Sequence, residues 1–92
     1  MIEKTVEISL KDGLKARPAT LFVQEANRFR ADIFVEAGDR QVNAKSIMSL
    51  MSLAIRSGTE VTIKADGDDA FEAIKALTEF VRTPDVLKMM NS

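Results

Sequence analysis

Gly13-Leu14-Lys15-Ala16-Arg17-Pro18-Ala19 is the stretch from which the rest of the chain can be laid out. Before it, Thr5 to Leu10 alternates polar and apolar residues, with Val6, Ile8 and Leu10 on one side. That is the period-two pattern of a half-buried strand. After it, Ala19, Phe22, Val23, Ala26 and then Phe29 recur at helical spacing, which predicts a helix from Ala16 to about Asn27. Lys11-Asp12-Gly13 supplies the turn between them. Pro18 falls in the first helical turn, where the N–H it lacks would have no intrahelical acceptor. The remaining N–H groups of that turn and the positive end of the helix dipole make an anion site, at which Arg17 aims a guanidinium. Lys15 adds a cation where cations are disfavoured by roughly 0.3–1 kcal/mol. Two readings fit it: a functional cation, or a surface charge offset by Asp12. Spacing alone favours the second slightly, because surface misfits of this kind are individually weak.

Farther along, Asp32 to Ala37 reads as a second strand with Ile33 and Val35 on one face. Gly38-Asp39 is a two-residue hairpin loop whose glycine supplies a positive φ, and Arg40 to Asn43 is a short third strand. A short helix is expected from Ile47 to about Ala54, with Ser46 at its N-cap and Ser57-Gly58 closing the segment. Glu60 to Ala65 is the fourth strand, with Val61, Ile63 and Ala65 inward. Asp69, with Glu72 three residues later, forms a box-like cap for a last helix. Its apolar stripe is Ala70, Ala73, Ile74, Leu77, Phe80 and Val81, and Thr83-Pro84 stops it. Residues 83–92 are expected as a frayed tail on a single domain spanning 1–92. The order β-α-β-β-α-β-α implies an α+β fold with helices covering one face of an antiparallel sheet.

Composition removes several function classes. A net charge of −1, from 13 basic and 14 acidic side chains, gives no bulk attraction to nucleic acid or an anionic membrane. With no cysteine and no histidine, the chain lacks thiol chemistry, the commonest metal ligand and the commonest general base. No long apolar run is present, the N-terminus reads as a strand rather than a signal peptide, and the cytoplasm is the simplest location. Asp66-Gly67-Asp68-Asp69 with Glu72 lacks the alternate-position spacing of a calcium loop and reads as turn plus helix cap. No metal, cofactor or catalytic residue is expected, and without a histidine-type base an independent hydrolase has little support, so a binding protein fits better than an enzyme.

Ser46 is the second position of interest. As a plain N-cap it would stabilise its helix by about 1 kcal/mol over alanine. The helix it starts, however, is apolar on more than one side. Leu50 and Leu53 can face the sheet, which leaves Ile47, Met48 and Met51 at least partly exposed as an adaptable docking patch. Phosphate on Ser46 would place close to two negative charges at a helix N-terminus, where the dipole favours them.

Gly-Leu-x-Ala-Arg-Pro-Ala after a first strand, together with Asn43-Ala44-Lys45-Ser46-Ile47-Met48, resembles the HPr family of the bacterial sugar phosphotransferase system. The resemblance runs from the first strand to about Arg82. In that family x is a histidine that carries phosphate from phosphoenolpyruvate. Here it is Lys15, so the match is nearest to the family's histidine-lacking, Crh-type members. A lysine ammonium, which in peptides titrates at about 10.4, has no lone pair to offer at neutral pH, whereas imidazole titrates at about 6.5.

The resemblance implies an HPr-like open-faced β-sandwich with strand order 1-4-2-3 and three helices on one face. The first strand then lies at an edge, open to exchange between protomers of a homodimer. It also implies phosphorylation of Ser46 by the ATP-dependent HPr kinase/phosphorylase. The phosphorylated form would act as corepressor of the catabolite control protein, a LacI-type transcription regulator, in carbon catabolite repression. Arg17, Ser46, Ile47, Met48 and Met51 match the family's contact pattern, with Lys15 at the degenerate phosphohistidine position beside them. Ser49 and Ala54 stand where members often have glycine. A phosphotransferase-system phosphocarrier and an unphosphorylated adaptor or decoy domain are the alternative functions.

Overall fold

In the computed structural model, which describes residues 1–83, the two sequence periodicities separate into two layers. The strands are β1 (Ile2–Glu7), β2 (Asp32–Ala37), β3 (Arg40–Asn43) and β4 (Glu60–Asp66). The helices are α1 (Ala16–Ala26), α2 (Ile47–Ser52) and α3 (Ala70–Arg82). The sheet order is β1-β4-β2-β3, antiparallel throughout, with Val6 opposite Val61, Ile33 opposite Ala65 and Val35 opposite both Ile63 and Val42. The open-faced sandwich expected from the motifs is the architecture found.

Alternation decides which side of the sheet is covered. Val6, Ile33, Val35, Val61, Ile63 and Ala65 point to one side and are buried. The helices close over them with Ala19, Phe22 and Ala26 from α1 and the whole predicted stripe of α3. Phe22 and Phe80 meet edge to face at 5.7 Å, the geometry aromatic pairs prefer. On the other side, the positions between carry Glu3, Glu7, Asp32, Glu36, Glu60 and Asp66, with Lys64 beside Glu36 at 3.6 Å and the Thr5 and Thr62 hydroxyls 2.9 Å apart. Among the described residues no helix covers that face, and its charged side chains are mostly acidic.

Two boundaries differ from expectation. β1 runs over Ile2–Glu7 rather than Thr5 to Leu10, because its pairing with β4 runs from Ile2 opposite Ala65 to Glu7 opposite Glu60. Alternation is obscured there by Lys4, an exposed residue at an inward position. Ile8 and Leu10 remain buried beyond the strand, and the Ser9 N–H turns away to the Val81 carbonyl (2.8 Å). α2 ends at Ser52, short of Ala54. The Arg40 guanidinium takes the Ser52 carbonyl and hydroxyl oxygens (3.0 and 3.1 Å), and Ala54 adopts a left-handed φ of 51° that no helix can continue through.

Asp69 corrects a third expectation. It occupies the N-cap position of α3 but makes no side-chain capping bond. Its carboxylate instead accepts the N–H groups of Arg30 and Ala31, both at 2.9 Å. The bond to Arg30, helped by that to Ala31 and opposed by partial burial, holds its pKa below the usual 3.8. Gly67 allows this closure, since a Cβ there would run into the Ala31 backbone. α3 itself ends at Arg82 with Thr83 extended; Pro84 and the tail beyond it lie outside the described residues.

Candidate functional site

The candidate residues lie on the outer side of the α1–α2 pair. Ser46 is extended (φ −113°, ψ 114°), and its Oγ accepts the Ser49 N–H at 3.3 Å, so it caps α2 as its position suggested. Asn43 sets up that cap: its Oδ1 accepts the Lys45 N–H at 2.8 Å and its carbonyl accepts the Ser46 N–H at 3.2 Å. This is an Asx-type turn, which asparagine forms readily. Ala44 is buried in the core and pinned through its N–H to the Ile33 carbonyl, so the loop cannot swing outward.

Within α2 the division of labour follows helical spacing. Leu50 is fully buried and Leu53 packs against the core. Met48 is 81% exposed and Met51 45% exposed, one helical turn apart, while Ile47 is half-buried between them and the core. Residues three apart on a helix share a face. The two methionines therefore form an apolar stripe that starts beside Ser46 and runs toward the C-terminal end of α2.

Lys15 and Arg17 sit at the start of α1. Lys15 is the extended N-cap residue (φ −140°, ψ 160°) and makes no side-chain capping bond, and Ala16 takes a left-handed φ of 54°. For a residue with a Cβ that conformation costs on the order of 1–2 kcal/mol. Both basic side chains are exposed, and among the described residues neither forms an ion pair.

Two bonds fix how α1 and α2 lie together. The Leu14 N–H donates to the Ile55 carbonyl at 3.0 Å, just past the end of α2. At the other end, Lys45 Nζ donates to the Phe29 carbonyl at 2.7 Å, just past the end of α1. The helices thus run antiparallel, and Ser46 and Arg17 belong to opposite ends of the layer. The methionine stripe bridges them.

Sequence reading missed three positions that build this face. Lys45 stands out there only as part of a motif, Arg40 as the first residue of a strand, and Gly13 as part of a turn. Gly13 has φ 73°, and a Cβ on it would collide with the Ile55 carbonyl oxygen. No local signal marks Arg40 or Lys45, because their acceptors lie far away in sequence.

Comparison with known proteins places this arrangement. The family model described as "PTS HPr component phosphorylation site" matches residues 2–83. The HPr-like protein Crh of Halalkalibacterium halodurans is 59% identical over 81 residues, 88% of this chain and 96% of that protein. A phosphocarrier protein HPr from Bacillus anthracis has a crystal structure that superposes with a TM-score of 0.86 at 60% identity, covering 87% of this chain and 95% of that one. The crystal structure of Bacillus subtilis Crh, described as a domain-swapped, intertwined dimer, gives a TM-score of 0.72 at 57% identity over 89% of this chain and 94% of its own. Overall identity is thus nearly the same to a carrier as to Crh, and the distinction has to come from individual residues.

Proposed function

The chain belongs to the PTS HPr family, and from that membership we propose that it is a regulatory phosphoprotein of carbon catabolite repression rather than a phosphate carrier. One observation carries the reading: a helix-capping serine, Ser46, is followed two residues later by a methionine left 81% exposed. A serine that served only as a cap would not need an apolar, solvent-facing side chain beside it. The absence of any imidazole argues in the same direction, since the labile P–N bond of a carrier requires one.

In this reading HPr kinase/phosphorylase transfers the γ-phosphoryl group of ATP to Ser46 Oγ, releasing ADP and the hydroxyl proton. The phosphate then sits where the first N–H groups of α2 point, one of which already donates to that oxygen. The fold is expected to persist while recognition changes. The LacI-type catabolite control protein would grip the phosphate at one end, bury Ile47, Met48 and Met51 in the middle, and meet Lys15 and Arg17 at the other end. The chain itself acts on no substrate and, in this reading, touches neither DNA nor membrane; no helix among the described residues is long and apolar enough to cross a bilayer. The free edge of β1 supports one addition, a homodimer in which two copies exchange that strand.

Intact-mass spectrometry tests the core of the proposal. Incubation with ATP and HPr kinase/phosphorylase should add one phosphate, and Ser46→Ala should add none. A parallel incubation with phosphoenolpyruvate and the first phosphotransferase enzyme should leave the mass unchanged. An acid-labile phosphate in that second tube would restore the carrier reading and sink this one.

A further inference from the structure

The chain contains no cysteine, so methionine thioethers are its only sulfur. Among the described residues Met1, Met48 and Met51 are exposed, at 71%, 81% and 45%. Met1 lies beside β1, away from the helical layer's docking stripe, whereas Met48 and Met51 are that stripe. Met48 gives the core nothing, since Leu50 is the side chain α2 buries.

We propose that Met48 is an oxidation site at which peroxide cancels docking, so that α2 carries two covalent marks of opposite effect. Phosphate on Ser46 makes the face fit its partner, and oxygen on Met48 spoils it. This rests on the docking role proposed above for the same stripe. The reaction needs hydrogen peroxide and nothing else from the chain. A lone pair of the thioether sulfur attacks one peroxide oxygen, the O–O bond breaks as the S–O bond forms, and the departing hydroxide takes up the remaining proton and leaves as water. Sulfur loses two electrons and peroxide gains them. The product is a sulfoxide, polar and chiral where the side chain had been flexible and apolar. It is returned to the thioether by methionine sulfoxide reductases, so the mark is reversible.

Three features of the molecule make Met48 the position where this matters. Its sulfur is reachable without any opening of the fold. Its side chain supports no packing, so the added oxygen falls on recognition and not on stability. With no thiol in the chain, no more nucleophilic sulfur competes for the oxidant. Met51, about half as exposed, follows more slowly, and Met1 serves as a reference of similar exposure off the stripe.

The experiment treats the full chain with hydrogen peroxide, locates the added oxygen by peptide mass, and reads two partners. One readout is the rate of Ser46 phosphorylation by HPr kinase/phosphorylase; the other is a titration of the phosphorylated chain against the catabolite control protein. Oxygen is expected on Met48 as early as on Met1 and before Met51, with an unchanged melting temperature. At least one partner readout is expected to fall on the order of tenfold or more, the scale of losing one buried apolar side chain. Met48→Leu, whatever its own starting affinity, should not respond to the same peroxide dose. A Met48 sulfoxide that leaves both readouts within twofold overturns the inference, as does a Met48→Leu variant as peroxide-sensitive as the parent. Should the unoxidised phosphoprotein fail to bind the regulator, the corepressor reading falls, and the kinase rate alone then decides the role of Met48.

Discussion

At Gly13 the absence of a methyl group is what lets the start of α1 lie against the end of α2. Its φ of 73° suits glycine, and the Ile55 carbonyl occupies the space a Cβ would need. Gly13→Ala meets both obstacles together, a strained backbone and a backbone collision that no side-chain rotation relieves. We expect a loss of about 2 kcal/mol or more, read as a lowered melting temperature. On the corepressor proposal, regulator affinity should fall with it, since Lys15 and Arg17 lose their fixed position relative to the methionines. The contrast with Ser46 shows what a sequence exposes at this scale. Ser46 announced itself through a local pattern, a small hydroxyl residue directly before a helix. Gly13 announced a turn but not the contact that makes it irreplaceable, because that contact comes from the other side of the fold. Arg40 and Lys45 were hidden for the same reason: each donates to a carbonyl that local spacing cannot bring near.

Between elements, polar clasps rather than apolar stripes hold the connections in register. The carboxylate of Asp69, at the start of α3, fastens the loop between α1 and β2 through two backbone N–H groups. Because these bonds favour the ionised form, the folded-state pKa is lowered, and the stabilisation is complete above the ordinary carboxylate value. It is lost as pH falls through the folded value. Asp69→Ala should therefore melt below the parent at neutral pH, and thermal scans at successively lower pH should bring the two curves together in acid. A gap of constant size down to that range would show that the clasp is not electrostatic. Element identities and the buried faces were legible because both follow from period and polarity within one segment. The early end of α2 was not, since Arg40 competes for the Ser52 carbonyl from another strand, and neither was the early start of β1, where Lys4 breaks the alternation at a sheet edge.

For the molecule as a whole, strand order was reached through family resemblance, since helical and strand periods do not say which strands are neighbours. Among the described residues that order leaves β1 bonded on one side only, and exchange with a second copy can be tested directly. Thr5 and Thr62 face each other across β1 and β4 with hydroxyls 2.9 Å apart. A Thr5→Cys/Thr62→Cys variant, the only cysteines in its chain, should close a disulfide between these strands. After incubation at high protein concentration and then oxidation, exchanged strands would give a covalent dimer on a non-reducing gel. A product that stays monomeric at every concentration would exclude the exchange.

The bare side of the sheet has a consequence for how partners arrive. Its carboxylates, Glu3, Glu7, Asp32, Glu36, Glu60 and Asp66, are set against two ammonium groups, Lys64 beside Glu36 and the N-terminus beside Asp66, while Lys15 and Arg17 project from the helical layer. A chain with almost no net charge is thus strongly polarised from front to back. Near a partner whose surface is acidic around an apolar pocket, such a body feels torque before it feels contact. It swings its methionines forward and its sheet away. The field acts over roughly 8 Å at physiological ionic strength, far enough to orient the last step of approach. Phosphate on Ser46 would oppose that torque at one end, so the mark proposed to complete the docking face would also tilt the angle at which it is presented.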